Sequence, residues 1–126
     1  MEALKKMGPN AHWLLRIGLA SVFLYHGAPK LMDMAGTAEM MGMPVFMAAL
    51  VGLGEVGGGL GMILGPILKK EWLTQASGLV LGVIMVGAIA LVHAKEGWNS
   101  IGAMGMEFQF TLLMTSLYFA FKGNSN

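Results

Sequence analysis

The sequence predicts an all-α membrane protein, a bundle of four transmembrane helices that forms one domain over residues 1–126. Hydrophobic residues make up 56% of the chain and charged residues 12%, whereas a soluble domain carries about 25% charged residues. Helices are expected because the edges of an open sheet cannot be satisfied in hydrocarbon. The net charge of +1 disfavours a nucleic-acid partner, since binding nucleic acid takes a basic surface.

Four apolar segments approach the roughly 20 residues that a helix needs to cross a bilayer. They cover about residues 11–28, 45–67, 72–93 and 104–121. The connection from Leu31 to Gly42 is too short and polar to cross, so we expect a short interfacial or re-entrant helix between helices 1 and 2. Pro29 leaves the end of the first span open, because the helix either continues through the proline or unwinds at Gly27.

The basic residues predict the orientation of the spans. Four spans place both termini on one side of the membrane, and six basic residues share that side against two on the other. The six are Lys5, Lys6, Arg16, Lys69, Lys70 and Lys122, and the two are Lys30 and Lys95. By the positive-inside rule, both termini are therefore expected in the cytoplasm.

Glycines in the second span predict close helix packing. Their spacing of four residues lets the backbones of neighbouring helices approach each other in a membrane. The glycines expected at such contacts are Gly54, Gly58, Gly59, Gly61 and Gly65, together with Gly27 in the first span.

Two charged residues, Arg16 and Glu55, lie inside predicted spans, where a charge costs about 2.5–3.5 kcal/mol on insertion scales. Glu55 lies near the middle of the second span, and we expect it to be protonated or paired with a cation from the first span. Arg16 lies near the inner end of the first span, about 15 Å along the helix axis from His26. Arg16 could also extend its charge to the lipid phosphates.

Four polar residues fall at the outer ends of three spans: His26, Lys30, His93 and Glu107. Because they lie at one depth, they predict a polar site that faces the periplasm. A histidine beside a carboxylate supplies the hydrogen-bond donor and the proton source that a quinone headgroup needs. The alternative is that Lys30 reaches the lipid phosphates and that His93 merely ends a helix at the interface.

Methionines suggest a third kind of site. Thioethers beside histidines suit Cu(I), a soft ion, although methionine also fills gaps in irregular packing. The weak copper candidates on the outer side are Met32, Met34, Met40, Met41 and Met43. The chain has no cysteine, which excludes iron–sulfur clusters and thiol redox chemistry.

Several motifs together resemble the DoxX family of small four-helix membrane proteins. They are Arg16 with the stretch FLYHGAPKL, then Gly42-x-Pro44, then GLGEVGGGLGMILG from Gly52 to Gly65. The resemblance covers most of the chain, from about Leu14 to about Tyr118. It implies a compact four-helix bundle in the bacterial inner membrane, with motif positions at Arg16, His26, Gly27, Lys30, Glu55 and Gly59.

The resemblance implies a place in redox assemblies, because relatives include a subunit associated with quinone-linked thiosulfate oxidation. We therefore expect an accessory or subunit of a membrane redox assembly that binds a quinone headgroup or a small anion, without autonomous activity. One alternative is a purely structural subunit whose glycine faces contact other membrane subunits or a second copy of the chain. Copper handling by methionine and histidine is the other alternative.

Overall fold

Helices form all the regular structure within residues 1–100 and 104–124, the parts of the chain that the structure, a computed structural model, describes. The α-helices are α1 (Glu2–Lys6), α2 (His12–Met32), α3 (Met34–Met41), α4 (Val45–Ile67), α5 (Glu71–Ala88) and α6 (Glu107–Lys122). After Ala88 the chain stays helical through a π-helical turn, Ile89–His93, and a 3₁₀ turn, Ala94–Glu96. The predicted all-α class is confirmed.

The first long helix continues through Pro29 and ends at Met32. A proline removes one backbone hydrogen bond, and contacts of the following turn with α4 hold the helix together. The short helix expected after it is α3. The Asp33 carboxylate caps α3 by accepting a hydrogen bond from the Gly36 amide at 3.0 Å, and Gly42 ends it in the left-handed conformation with φ 66°.

The helix α4 lies between α2 and α5, and α5 in turn packs against α6. Small residues make these contacts close. A methyl group placed on Gly58 would lie 2.6 Å from Leu81 in α5, and one on Gly78 would lie 2.5 Å from the backbone oxygen of Ser116 in α6. Larger side chains fill the space between the helices, and the core consists of Leu19, Phe23, Met62, Leu81, Met85, Leu112 and Phe119.

Among the described residues, two helical segments, Val45–Ile67 and Glu71–Glu96, are long and apolar enough to cross a membrane. Both leave large apolar side chains on the outer surface, such as Leu53, which is 58% exposed, and Val83, which is 64% exposed. Large exposed apolar surfaces are typical of regions that contact lipid or another protein. The sequence predicts four spans, and the remaining two correspond to α2, with 21 residues, and α6, with 16 residues.

The two ends of the long helices carry different polar groups. The start of α2, the α4–α5 connection and the chain after α6 meet at one end, where Asn10, Lys69 and Asn124 line a shared cleft. We call this end the terminal end. The opposite end carries α3 and the connection from α5 to α6, and we call it the loop end.

Candidate functional site

An ion pair joins α2 to α4 inside the helix assembly. The ammonium nitrogen of Lys30 lies 2.9 Å from Oε1 of Glu55, and the side chains are 17% and 5% exposed. The same ammonium donates a hydrogen bond to the backbone oxygen of His26 at 3.0 Å. Of the two states expected for Glu55, the structure shows the paired one, and Lys30 is the cation from the first span.

Helix geometry explains why Lys30 reaches the middle of α4. In antiparallel packing Gly27 lies opposite Glu55, and a methyl group on Gly27 would lie 2.8 Å from the Glu55 Cβ atom. Side chains tilt toward the N-terminus of their helix, so the stem of Lys30 extends back to the level of Gly27. The missing side chain at Gly27 leaves room for the Cβ atom of Glu55 and for Val56, so α2 and α4 approach closely beside the ion pair. These motif residues thus form one packing unit.

The other residues expected at the loop end have separate contacts. The His26 side chain is exposed, His93 Nδ1 lies 2.9 Å from the backbone oxygen of Met104, and Glu107 accepts a hydrogen bond from the Ser100 amide at 2.7 Å. Lys30 is held at Glu55. The structure therefore brings Lys30 to Glu55 and does not bring it to His93 or Glu107.

The glycines and methionines singled out in the sequence differ in exposure. Gly54, Gly58, Gly61 and Gly65 lie against side chains of α5, whereas Gly59 lies against Leu24 of α2. These five glycines therefore contact other helices of the same chain. The methionines are mostly on the surface, with Met32 84% and Met40 81% exposed, and Met34 and Met41 are exposed as well, whereas Met43 is half-buried.

Arg16 is buried at the terminal end, with 1% of its surface exposed. One terminal nitrogen of its guanidinium donates to the backbone oxygen of Met62 at 2.9 Å and to the Thr74 hydroxyl at 3.1 Å. Its Nε donates to Nδ1 of His12 at 2.8 Å. Because His12 Nδ1 accepts this bond, the ring proton lies on Nε2, which remains a donor.

The second terminal nitrogen of Arg16 faces the chain end beyond α6. It lies 3.2 Å from the Asn124 amide oxygen and 3.5 Å from the backbone oxygen of Gly123, the two longest of its oxygen contacts. The guanidinium carbon lies 4.6 Å from the centre of the Phe119 ring, a favourable cation–π distance. Arg16 therefore contacts residues of α4, α5 and α6 while belonging to α2.

A cavity of about 240 Å³ opens beside this guanidinium, between the start of α2 and the end of α6. Its lining is rich in hydrogen-bond donors. The lining residues are Gly8, Ala11, His12, Leu15, Arg16, Tyr118, Phe119, Lys122, Gly123 and Asn124. This terminal cavity can accept a small group that offers carbonyl or anionic oxygens.

The sequence predicts that Arg16 lies near the inner end of its span, but no sequence pattern indicates the cavity beside it. The four-residue spacing of His12 and Arg16 indicates that they share one helix face, and this signal could have paired them. Asn124 lies 108 positions from Arg16. No local pattern predicts a contact over that separation.

The chain is similar to a known family and to a Bacillus subtilis protein. The family model described as DoxX matches residues 11–94, a region that contains Arg16, Lys30 and Glu55. A Bacillus subtilis (strain 168) protein with the name "Putative oxidoreductase CatD" is 31% identical over 114 residues, which cover 88% of this chain and 78% of the relative. No solved structure matches the chain significantly.

Replacing Lys30 by Met should lower the free energy of unfolding by about 3 kcal/mol, because the buried Glu55 carboxylate loses its counter-charge. The double replacement of Lys30 and Glu55 by Met should cost less than Lys30→Met alone. Reversible SDS unfolding in mixed micelles measures these differences. The matched control is Lys95→Met at an exposed position, expected within about 0.5 kcal/mol of the parent. If Lys30→Met matched this control, the ion pair would have no role in stability.

Proposed function

The chain belongs to the DoxX family of membrane proteins, and from this we propose that it is an accessory or subunit of a membrane redox assembly in the bacterial inner membrane. Its contribution is a site for a quinone headgroup or a small anion. The observation that carries the proposal is the terminal cavity, where the buried Arg16 lies at the wall of a space lined by donors. The name of the Bacillus subtilis relative supports the redox setting.

We further propose that α2, α4, α5 and α6 all cross the membrane. The α4 and α5 segments meet the length and hydropathy needed, and α2 and α6 pack along them. Exposed apolar side chains on α2 and α6, such as Leu14 at 76% and Phe121 at 80%, suit contact with lipid. The lysines near the terminal end favour a cytoplasmic location for that end by the positive-inside rule.

Cysteine labelling tests this orientation cleanly because the chain has no cysteine of its own. Ala3→Cys lies at the terminal end and Ala94→Cys at the loop end, and both positions are exposed. A membrane-impermeant maleimide added to intact spheroplasts should label only the Ala94→Cys protein, and both proteins should react after lysis. Labelling of Ala3→Cys in intact spheroplasts would reverse the orientation.

The lining of the terminal cavity fits both ligand classes. A quinone carbonyl accepts hydrogen bonds from groups such as His12 Nε2–H, the Arg16 guanidinium and the Lys122 ammonium. A small anion takes the same donors as charge-assisted hydrogen bonds. A bound quinone supplies the electron-accepting ring, and the chain's residues bind and orient its headgroup. With no thiol in the chain, electron transfer depends on the quinone and on partner subunits.

Gently extracted protein should retain a ligand in the terminal cavity, and His12→Ala should reduce the retained amount by roughly 5-fold, the effect of losing one hydrogen bond. His26→Ala is the matched control, because His26 is exposed at the loop end. Native mass spectrometry and quinone analysis of the extract measure the retained ligand and any partner subunits. A loss with His26→Ala but not with His12→Ala would favour the loop-end residues expected from the sequence.

A further inference from the structure

The charge of Arg16 is buried at the terminal end. Its acceptors are neutral groups, namely backbone oxygens, the Thr74 hydroxyl, the His12 ring and the Asn124 amide. Within residues 1–100 and 104–124, no carboxylate lies within ion-pair distance of Arg16. Burying a charge is costly unless an opposite charge compensates it. Lys30 at the loop end has such a partner in Glu55.

The Asn124 amide oxygen occupies the position that an anionic oxygen would take. It lies 3.2 Å from Arg16 and accepts a hydrogen bond from the Thr74 hydroxyl at 2.5 Å. The turn at Gly123 brings Asn124 back to this position, with a φ of 64° that favours glycine. Asn124 lies beyond the last turn of α6 and also donates a hydrogen bond from Nδ2 to the backbone oxygen of Gly65 in α4 at 3.2 Å, so a ligand that displaces Asn124 breaks this bond as well.

The charged groups around Asn124 are mainly basic. Lys122 lines the terminal cavity, and Lys69 lines the neighbouring cleft that shares His12 and Asn124 with it. The opposing group is the Glu71 carboxylate, which lines the neighbouring cleft and not the terminal cavity. That carboxylate packs against Gly123, and an anion in the terminal cavity meets the buried Arg16 guanidinium in the cavity wall.

We infer that the terminal cavity binds a phosphate-type oxyanion, which replaces the Asn124 amide oxygen as the partner of Arg16. This inference rests on the proposed function. Of the two ligand classes proposed there, a quinone headgroup and a small anion, it selects the anion. The guanidinium offers a planar fork of N–H donors that matches phosphate geometry. At the cytoplasmic end of the helices, the phosphate comes from an anionic phospholipid of the inner leaflet or from free phosphate in the cytosol.

Asn124→Asp tests the inference because it supplies Arg16 with an internal carboxylate. The variant loses the hydrogen bond that Asn124 Nδ2 donates to the backbone oxygen of Gly65 at 3.2 Å, and the expected result is that phosphate ligands no longer raise its Tm. Gln75→Glu is the matched control, since it adds the same charge at an exposed position one turn from Glu71. The probes are inorganic phosphate, phosphatidylglycerol, phosphatidylcholine and a short-chain quinone, with sodium chloride at equal ionic strength.

The inference predicts that inorganic phosphate or phosphatidylglycerol raises the Tm of the parent and of Gln75→Glu by at least ~3 °C. A response to phosphatidylglycerol alone identifies lipid as the source, and a response to inorganic phosphate identifies free phosphate. Sodium chloride and phosphatidylcholine should have no comparable effect. Whichever of inorganic phosphate and phosphatidylglycerol raises the Tm of the parent, the affinity of Asn124→Asp for it should fall at least ~10-fold.

Three results would overturn the inference. In the first, sodium chloride raises the Tm of the parent as much as phosphate does. In the second, phosphate ligands raise the Tm of Asn124→Asp as much as that of the parent. In the third, Gln75→Glu loses the rise in Tm as fully as Asn124→Asp does. If only the quinone stabilised the protein, the phosphate inference would fail while the proposed function stood. If no probe stabilised any variant, both would fail and Arg16 would serve only to hold the helices together.

Discussion

The buried guanidinium of Arg16 connects all four long helices. It belongs to α2 and reaches Met62 in α4, Thr74 in α5 and the chain that follows α6. A buried guanidinium must find acceptors for its five N–H donors. That requirement fixes how closely the four helices approach at the terminal end. It also explains why a chain segment after the last helix folds back onto the helix ends.

The buried charged side chains Glu55 and Arg16 have different kinds of partner. On the side of α2 toward the loop end, Lys30 pairs with Glu55 in the middle of α4, and Gly27 lets the two helices approach. At the terminal end, the acceptors of Arg16 among the described residues are neutral, and a cavity opens beside it. A neutralised pair inside tight packing serves stability, whereas a positive charge beside a cavity can bind a ligand. This contrast is why we place the ligand site at the terminal end.

The sequence was sufficient for the features that depend on local pattern. Hydrophobic segments gave the long helices to within a few residues, and the polar connection gave α3. For Glu55 the sequence predicts either protonation or pairing with a cation from the first span, and in the structure it is paired with Lys30.

The composition of the site was harder to predict. Position along a span predicts the depth of His93, Glu107 and Lys30 but not their rotation about the helix axis, and in the structure His93 contacts Met104 whereas Glu107 contacts Ser100. The contact of Arg16 with Asn124 depends on the complete tertiary fold.

The NMR signal of the arginine Nε–H group tests the central claim, that a ligand binds at Arg16, most directly. Arg16 is the only arginine in the sequence, so the signal needs no assignment, and the three histidine rings report on both ends. In zwitterionic nanodiscs, addition of phosphatidylglycerol or inorganic phosphate should shift the arginine signal and leave the rings of His26 and His93 unchanged. An unchanged arginine signal with shifts at His26 and His93 would contradict the account and place the site at the loop end.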